Sequence, residues 1–301
     1  MTVGGGVEQK PSETAFFAAL RRALAHREYQ NQQFGPDDLA EYFLPAHFRF
    51  FLKFQKIRTN TKERLNGFFP GLNEMMIART AYFDGLFVDA LKQGTPQIVL
   101  LGAGYDSRPY RFARENQGTQ IFELDIAPTQ DQKVKCLRRA NIDIPPEVKF
   151  VPVNFNTQPL KAVLAQAGYD SNQKTFFSWE GVSYYLDAGS VDATLAFVSQ
   201  KVHPDSTIAF DYTVTLTDQN IDRYYGAEQF AQTMREAHQQ EELTFSIAEG
   251  AIETFLDSRD LKLVEHLDSQ QIEQRFLTGA DGKLIGPMTG HFRFVLAAPQ
   301  R

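Results

Sequence analysis

The alternation of short apolar runs with helical patterns after residue 95 constrains the fold of this chain most strongly. Seven runs have the length and composition of strands, and helical patterns lie between most of them. Buried parallel strands are almost continuously apolar, and helices cover both faces of such a sheet. The pattern therefore predicts an α/β fold with a seven-stranded, mostly parallel sheet. The predicted strands are 97–102, 120–125, 148–155, 175–181, 206–213, 261–267 and 291–298.

The rest of the chain is predicted to attach to this sheet without a separate linker. Residues 1–94 are expected to form an N-terminal tail, unstructured to residue 11, and then a helical cap. Ser12 has the side chain of a helix N-cap, and 72–92 is predicted to be one long helix. Residues 95–301 are expected to form the α/β domain, with a helical insertion at about 216–245. A chain of 301 residues suits one such integrated unit.

The segment 46–58, AHFRFFLKFQKIR, combines four phenylalanines with basic residues. We expect it to form one packed amphipathic helix. Two alternatives stay open, an active-site lid whose rings shape a pocket and exclude water, and a helix that lies on a membrane surface. The acidic balance of the whole chain makes the membrane surface the weakest of the three.

The first predicted strand ends in Gly102 and Gly104, and ligands of open parallel sheets bind at the carboxyl ends of the strands. Glycines at this place allow backbone N–H groups to approach a ligand closely. Asp125 ends the second strand, where a carboxylate can accept hydrogen bonds from both hydroxyls of a ribose. Two simpler interpretations stay open, a tight strand-to-helix turn at the glycines and a helix N-cap at Asp125.

The residues around this turn distinguish between two cofactors. A dinucleotide fingerprint has a third glycine, whereas this chain has Ser107 at that position. S-adenosylmethionine has no phosphate and has an amino-acid carboxylate, which suits the planar guanidinium of arginine. Arg79 lies on the apolar face of the predicted helix 72–92 without a charged neighbour at helical spacing. Its partner is therefore either a ligand or a distant acid such as Glu180 or Asp211.

Composition argues against several other classes of function. The single cysteine, Cys136, allows no disulfide within the chain and indicates a reducing, cytoplasmic location. No apolar run is long enough to span a membrane, and the net charge of −6 argues against a nucleic-acid partner. The six histidines show no metal-ligand spacing. His291 opens a predicted strand near the mouth of the site and is a candidate substrate contact.

Four motifs together resemble the leucine carboxyl methyltransferase-like family of class I S-adenosylmethionine-dependent methyltransferases, including its bacterial O-methyltransferase branch. The motifs are Ala78-Arg79-Thr80 with Asp84, VLLGAGYDSR at 99–108, FELD at 122–125 and WEGVSYYL at 179–186. The resemblance extends over nearly the whole chain, from DDLAEYFL to the final strand. It implies a Rossmann-like class I methyltransferase fold with helices on both faces of the sheet and an N-terminal helical cap.

The resemblance also implies roles for single residues in binding S-adenosylmethionine. Arg79 would hold the methionine carboxylate. Gly102 and Gly104 would line the methionine and the ribose, and Asp125 would take the ribose hydroxyls. Glu180 would face the methionine amine or the floor of the site.

Two positions after the third strand depart from the family pattern. Asn154 stands where an aspartate usually lies near the adenine amine, and its carbonyl can still accept from that amine. Phe155 can pack on the adenine ring. Asn156 stands where members that methylate a phosphatase C-terminus have an arginine for the substrate carboxylate. This difference disfavours a protein C-terminus as the acceptor.

The resemblance implies an enzyme that transfers a methyl group to a carboxylate or a hydroxyl of a small organic molecule. A carboxylate needs no base, whereas a hydroxyl must lose its proton, and Tyr185 and Asp211 are the candidate bases. Simpler roles for them stay open, packing for Tyr185 and pairing with Arg79 for Asp211. Three alternatives for the whole chain are a protein C-terminal carboxyl methyltransferase, a nicotinamide-dependent oxidoreductase and a non-catalytic cofactor-binding scaffold.

Overall fold

A seven-stranded sheet organises the computed structural model, which describes residues 10–30, 33–155, 157–237 and 243–300. The strand order is β3-β2-β1-β4-β5-β7-β6. β7 runs antiparallel to β5 and to β6, and the other neighbours are parallel, so the predicted fold class is confirmed. The strands are β1 (Gln97–Leu101), β2 (Gln120–Asp125), β3 (Val148–Pro152), β4 (Thr175–Trp179), β5 (Thr207–Thr213), β6 (Leu261–Leu267) and β7 (Phe292–Pro299).

β1 ends one residue earlier than the sequence predicts, and β3 and β4 end earlier by more than one residue because the chain turns at their carboxyl ends. After β3, the carbonyl of Asn154 accepts from the N–H groups of Thr157 and Gln158. After β4, Gly181 has a φ of +74°, which ends the extended backbone. Both turns lie at the edge of the sheet where ligands of this architecture bind.

Helices cover the sheet and form the cap that precedes it. Ser12 caps the first helix as predicted, because its hydroxyl accepts from the N–H of Ala15 at 3.1 Å. The long helix predicted over 72–92 is also confirmed. The helices are α1 (Glu13–Tyr29), α2 (Ala46–Phe51), α3 (Gln55–Phe68), α4 (Leu72–Lys92), α5 (Arg108–Arg111), α6 (Ala127–Arg139), α7 (Leu160–Gln166), α8 (Ala188–Gln200), α9 (Ala227–Ala237), α10 (Ile252–Asp257) and α11 (Ser269–Ile272).

The core has one layer on each face of the sheet, because side chains alternate along the strands. On one face, Ile98 and Phe294 pack with Phe83 of α4. On the other face, Val99 and Phe177 pack in a second cluster. α1 adds a third cluster that includes Tyr105 of the turn after β1, so the helices before residue 94 pack directly on the α/β part. The predicted division at residue 94 stays a prediction, and the predicted unstructured tail falls mostly on residues 1–9, outside the described residues.

The prediction of one packed helix over 46–58 is wrong. α2 ends at Phe51 and α3 begins at Gln55, and the Arg58 guanidinium donates to the carbonyls of Leu52 and Lys53 between the two helices. Three of the four phenylalanines are exposed, Phe50 by 55%, Phe51 by 46% and Phe54 by 48%. Phe48 packs against the cluster formed with α1. The lid and the membrane-surface helix stay predictions.

The insertion predicted at about 216–245 contains a 3₁₀ turn (Ile221–Arg223) and α9. Its residues 238–242 lie outside those that the structure describes. Among the described helices of the whole chain, none has the length and apolar character needed to cross a membrane.

Candidate functional site

The carboxyl ends of β1 and β2 are joined by the carboxylate of Asp125. Its Oδ2 accepts from the N–H of Gly104 at 2.6 Å, and its Oδ1 accepts from the N–H of Ile126 at 2.7 Å. Burial raises the pKa of Asp125. The interpretation of Asp125 as a helix N-cap is wrong, since the N-cap of α6 is Ile126 and has no side-chain bond. Asp125 instead fixes the conformation of the glycine turn.

The glycine turn requires glycine at position 102. Gly102 has a φ of +71°, and a Cβ there would lie 2.4 Å from Cγ2 of Val182. Gly104 has a φ of +44°, and a Cβ there would lie 3.2 Å from the Cβ of Ala15 in α1. The turn thus packs closely against α1 and against the loop after β4. A larger residue at 102 would have to displace that loop.

Arg79 of α4 is buried at the same edge, and both distant acids considered from the sequence are its partners. Its Nη1 lies 2.9 Å from Oδ2 of Asp211, and its Nε lies 3.1 Å from Oε1 of Glu180. Nη1 also donates to the hydroxyl of Tyr184 at 3.0 Å. Burial opposes the positive charge, but Tyr184 and the two carboxylates outweigh it and raise the pKa of Arg79. The guanidinium is therefore charged at neutral pH.

The guanidinium of Arg79 lies against the backbone of Gly181. A Cβ at position 181 would lie 2.9 Å from Nη1, so a side chain there would displace the arginine. The Nε atom of Arg79 makes no hydrogen bond to any residue that the structure describes, although Glu180 lies near it. The Glu180 carboxylate nevertheless faces this donor, so Nε already lies against an anionic group.

Asp211 of β5 is fully buried and holds this arrangement together. Its Oδ1 accepts from the N–H of Gly181 at 2.6 Å, and Oδ2 accepts from Arg79 and from the Tyr184 hydroxyl. Its backbone carbonyl accepts from the hydroxyl of Ser183 at 2.5 Å. This geometry favours the pairing role for Asp211. A role of Asp211 as a base stays a prediction. Its burial and the three donors that already bond to its carboxylate argue against that role.

Glu180 connects Arg79 to a second buried arginine that the sequence analysis missed. Oε2 of Glu180 accepts from Nη1 of Arg108 at 2.7 Å. Arg108 also pairs with Asp106 at 2.8 Å and with Asp84 at 2.7 Å. Asp84, Asp106 and Arg108 all lie in the quoted motifs, so their charges were the available signal. The network fixes the loop after β4 to α4 and to the glycine turn.

The remaining predicted site residues lie at the same edge or beside it. Asn154 and Phe155 follow β3, which pairs with β2 up to Asp125, and Phe155 packs at the rim of the second core cluster. Tyr185 ends the 3₁₀ turn Ser183–Tyr185, with its ring centre 4.9 Å from that of Tyr184. Asn156 lies outside the described residues. The roles assigned to these residues stay predictions.

His291 is not at the mouth of the site, so its interpretation as a substrate contact is wrong. It is fully buried, with its ring centre 4.9 Å from that of Phe230 and 4.7 Å from that of Phe292. Burial lowers the pKa of His291 to about 3, and the imidazole is therefore neutral in the folded protein. Phe230 belongs to α9, so the insertion covers this histidine.

The fold defines the class of protein. It resembles a solved structure of a candidate methyltransferase from Thermobifida fusca, with a TM-score of 0.62 and 16% identity over 97% of this chain and 96% of that one. A duf574 family protein from Streptomyces avermitilis gives a TM-score of 0.62 at 12% identity, over 97% and 99% of the chains. Both likenesses show the fold of a Rossmann-like methyltransferase.

Sequence comparison identifies the family within this class. The model of the leucine carboxyl methyltransferase family matches residues 15–199, and the chain belongs to that family. YktD of Bacillus subtilis, named as a candidate S-adenosyl-L-methionine-dependent methyltransferase, is 30% identical over 223 residues, 73% of this chain and 72% of YktD. A relative of the same description from Mycobacterium ulcerans is 33% identical over 59% of this chain and 57% of its own length.

These comparisons confirm three predictions made from the sequence. The family resemblance is confirmed by the family model. The enzyme class, a methyltransferase, and the cofactor, S-adenosylmethionine, agree with the names of the relatives and are confirmed at that level. These comparisons do not identify the methyl acceptor or the roles of single residues.

Proposed function

We propose that this chain transfers a methyl group from S-adenosylmethionine to a carboxylate or hydroxyl oxygen of a small organic molecule. The observation that carries the proposal is the buried guanidinium of Arg79, which lies beside the loop after β4. Its charge is held by Glu180 at 3.1 Å and by Asp211 at 2.9 Å, at the carboxyl edge of the sheet. A guanidinium held charged at this edge suits the amino-acid carboxylate of the cofactor.

Other residues at this edge of the sheet fit the same cofactor. Each oxygen of Asp125 accepts one N–H, so further lone pairs can accept from ribose hydroxyls. Gly102 has no side chain, and a Cβ at this position would clash with Val182. We assign Asn154 and Phe155 to the adenine, because they follow β3 next to Asp125. Glu180 would face the methionine amine.

The chemistry divides between the cofactor and the chain. The bound cofactor supplies a methyl group on a positively charged sulfur. The residues of the chain orient the two reactants and exclude water from them. A carboxylate acceptor needs nothing more, whereas a hydroxyl acceptor needs a base. Tyr185 is our candidate because it lies beside Tyr184 in the group formed by Arg79, Glu180, Asp211 and Tyr184, called the Arg79 cluster.

The experiment is methyl transfer from labelled S-adenosylmethionine to three groups of acceptors. The groups are small carboxylic acids, phenols with primary alcohols, and peptides that end in leucine. The proposal predicts label in small molecules of the first or second group. Label only in the peptides would favour the protein C-terminal carboxyl methyltransferase. Binding of the cofactor without label in any group would favour the scaffold.

The variant Tyr185→Phe distinguishes the two kinds of small acceptor. A carboxylate acceptor should tolerate the loss of the hydroxyl, whereas a hydroxyl acceptor that uses Tyr185 as base should lose kcat by about a hundredfold or more. The matched control is Tyr225→Phe, since Tyr225 is 52% exposed. Both variants should bind S-adenosylhomocysteine as the wild type does. A loss of kcat with a carboxylate acceptor would contradict the role assigned to Tyr185.

A further inference from the structure

α1 carries a buried arginine that forms no ion pair with a described residue. Arg21 is 6% exposed, and its Nε has no hydrogen-bond partner among the residues that the structure describes. The other buried arginine side chains at this edge of the sheet have carboxylate partners. Arg79, Arg108 and Arg111 each have a nitrogen within 2.9 Å of a carboxylate oxygen. Arg21 therefore needs a separate explanation.

The surroundings of Arg21 leave it charged without a carboxylate at ion-pair distance among the described residues. Burial lowers the pKa of Arg21 to about 10, and the like charge of Arg79 acts in the same direction. At neutral pH the guanidinium is still protonated. Glu74 acts in the opposite direction but forms no ion pair with Arg21, and the cation nearest to its carboxylate is Lys62 at 3.9 Å. A buried charge in this state is unfavourable unless an anion binds to it.

Arg21 projects away from the side of α1 that packs on the glycine turn. Ala15 contacts Gly104, and Arg22 donates to the carbonyl of Tyr105 at 2.7 Å. Arg21 is displaced from Arg22 by about 100° around the helix. Its Cζ lies 5.9 Å from the ring centre of Phe69. It is also within electrostatic range of Tyr185.

This side of α1 lies toward Phe69 and the insertion. The residues assigned to the cofactor run from Asp125 at the end of β2 to Arg79 beside the loop after β4. Phe69 contacts Phe230 of α9 with ring centres 5.2 Å apart, and α9 lies in the insertion after β5. Arg21 thus lies within electrostatic range of Arg79 and near a residue that contacts the insertion.

We propose that Arg21 is the anion-binding residue of the acceptor subsite, and that the acceptor carries a carboxylate or a phosphate. The proposal rests on the proposed function, because it names the acceptor side of the same site. A guanidinium presents its donors as a planar fork that matches either oxyanion. Arg21 selects acceptors by charge and orients them toward Tyr185.

Binding of three aromatic probes tests this assignment without knowledge of the acceptor. Benzoate, phenyl phosphate and the neutral benzamide are titrated by NMR into the protein, with and without S-adenosylhomocysteine. The variants are Arg21→Met and the control Arg64→Met, which removes an exposed arginine from α3. We expect at least one anion to bind the wild type and the control, and to bind Arg21→Met at least tenfold more weakly. The stronger of the two anions distinguishes a carboxylate from a phosphate.

The other outcomes separate this proposal from the proposed function. Weaker binding of S-adenosylhomocysteine to Arg21→Met would place Arg21 in the cofactor half and overturn the assignment. Equal anion binding by the two variants would also overturn it, as would preference for benzamide. If the wild type binds no S-adenosylhomocysteine, the proposed function fails, and the acceptor role of Arg21 fails with it.

Thermal stability gives a second, independent measurement. Methionine fills a similar volume without a charge, so Arg21→Met should raise the melting temperature if the guanidinium has no structural partner. Arg21→Lys keeps the charge but not the planar fork and should recover part of the anion binding. A lower melting temperature of Arg21→Met, or failure of this variant to fold, would mean that Arg21 has a structural role and would overturn the proposal.

Discussion

Replacement of Arg79 by methionine tests two roles of this residue, its pairing with buried carboxylates and its binding of the cofactor. In the folded protein the guanidinium lies 2.9 Å from Asp211, which is fully buried, and 3.1 Å from Glu180. Methionine leaves the Asp211 carboxylate with the Gly181 N–H and the Tyr184 hydroxyl as donors, but without a cation. Removal of one partner from a buried ion pair costs about 3–5 kcal/mol. We therefore expect the free energy of unfolding of Arg79→Met to fall by about that amount.

The same replacement should weaken binding of the cofactor. A hydrogen bond to a charged group contributes about 1.5–3 kcal/mol. Loss of the bond to the methionine carboxylate should therefore weaken binding of S-adenosylhomocysteine roughly tenfold to a hundredfold. The matched control is Arg64→Met, whose exposed arginine should affect neither quantity.

A second substitution separates the two effects. Asp211→Asn in the Arg79→Met background removes the uncompensated charge and keeps an oxygen that can accept from Gly181. Urea denaturation should show that the double variant recovers part of the lost stability. Calorimetry should show that it does not recover the affinity for S-adenosylhomocysteine. Wild-type affinity in the double variant would refute the assignment of Arg79 to the cofactor.

Three further changes have expected outcomes. Asp125→Asn should bind S-adenosylhomocysteine roughly tenfold or more weakly in calorimetry, because a charged acceptor for the ribose is lost; unchanged affinity would contradict that role. Gly102→Ala should lower the urea midpoint, since its Cβ would lie 2.4 Å from Val182 and its φ is +71°, and Val182→Ala should relieve part of the loss. His291→Gln should change the pH dependence of stability. The folded pKa of His291, about 3, is below the unfolded value of 6.5, so only the unfolded state binds the proton between them. Wild-type stability should therefore fall relative to the variant below pH 6.5, by up to about 1.4 kcal/mol per unit; parallel curves between pH 5 and 7 would refute this.

The strands and the glycine turn could be predicted because their signals are local. A buried strand is an apolar run of limited length, and a turn with positive φ favours glycine. The segment 46–58 could not be predicted in this way. Its apolar residues have helical spacing, but the bonds from Arg58 to the carbonyls of Leu52 and Lys53 lie between two helices. The spacing also cannot show that Phe50 and Phe54 are exposed.

The location of the site was predicted because its motifs lie at the ends of neighbouring strands. Its ion pairs were not predicted, because they join residues that are far apart in the sequence. Arg79 and Asp211 are separated by 132 residues, and the sequence allowed either this pairing or a ligand. The structure shows the pairing and adds Glu180 as a second carboxylate partner of Arg79. Arg21 has no sequence signal, because its isolation is visible only in the fold. His291 was misplaced because the insertion covers it through Phe230.

The most direct test of the account is a calorimetric titration of the wild-type protein with S-adenosylmethionine, S-adenosylhomocysteine and NADH. We expect the first two ligands to bind at one site per chain and NADH not to bind. Binding of NADH alone would contradict the assignment of Arg79 and of the glycine turn to a sulfonium cofactor.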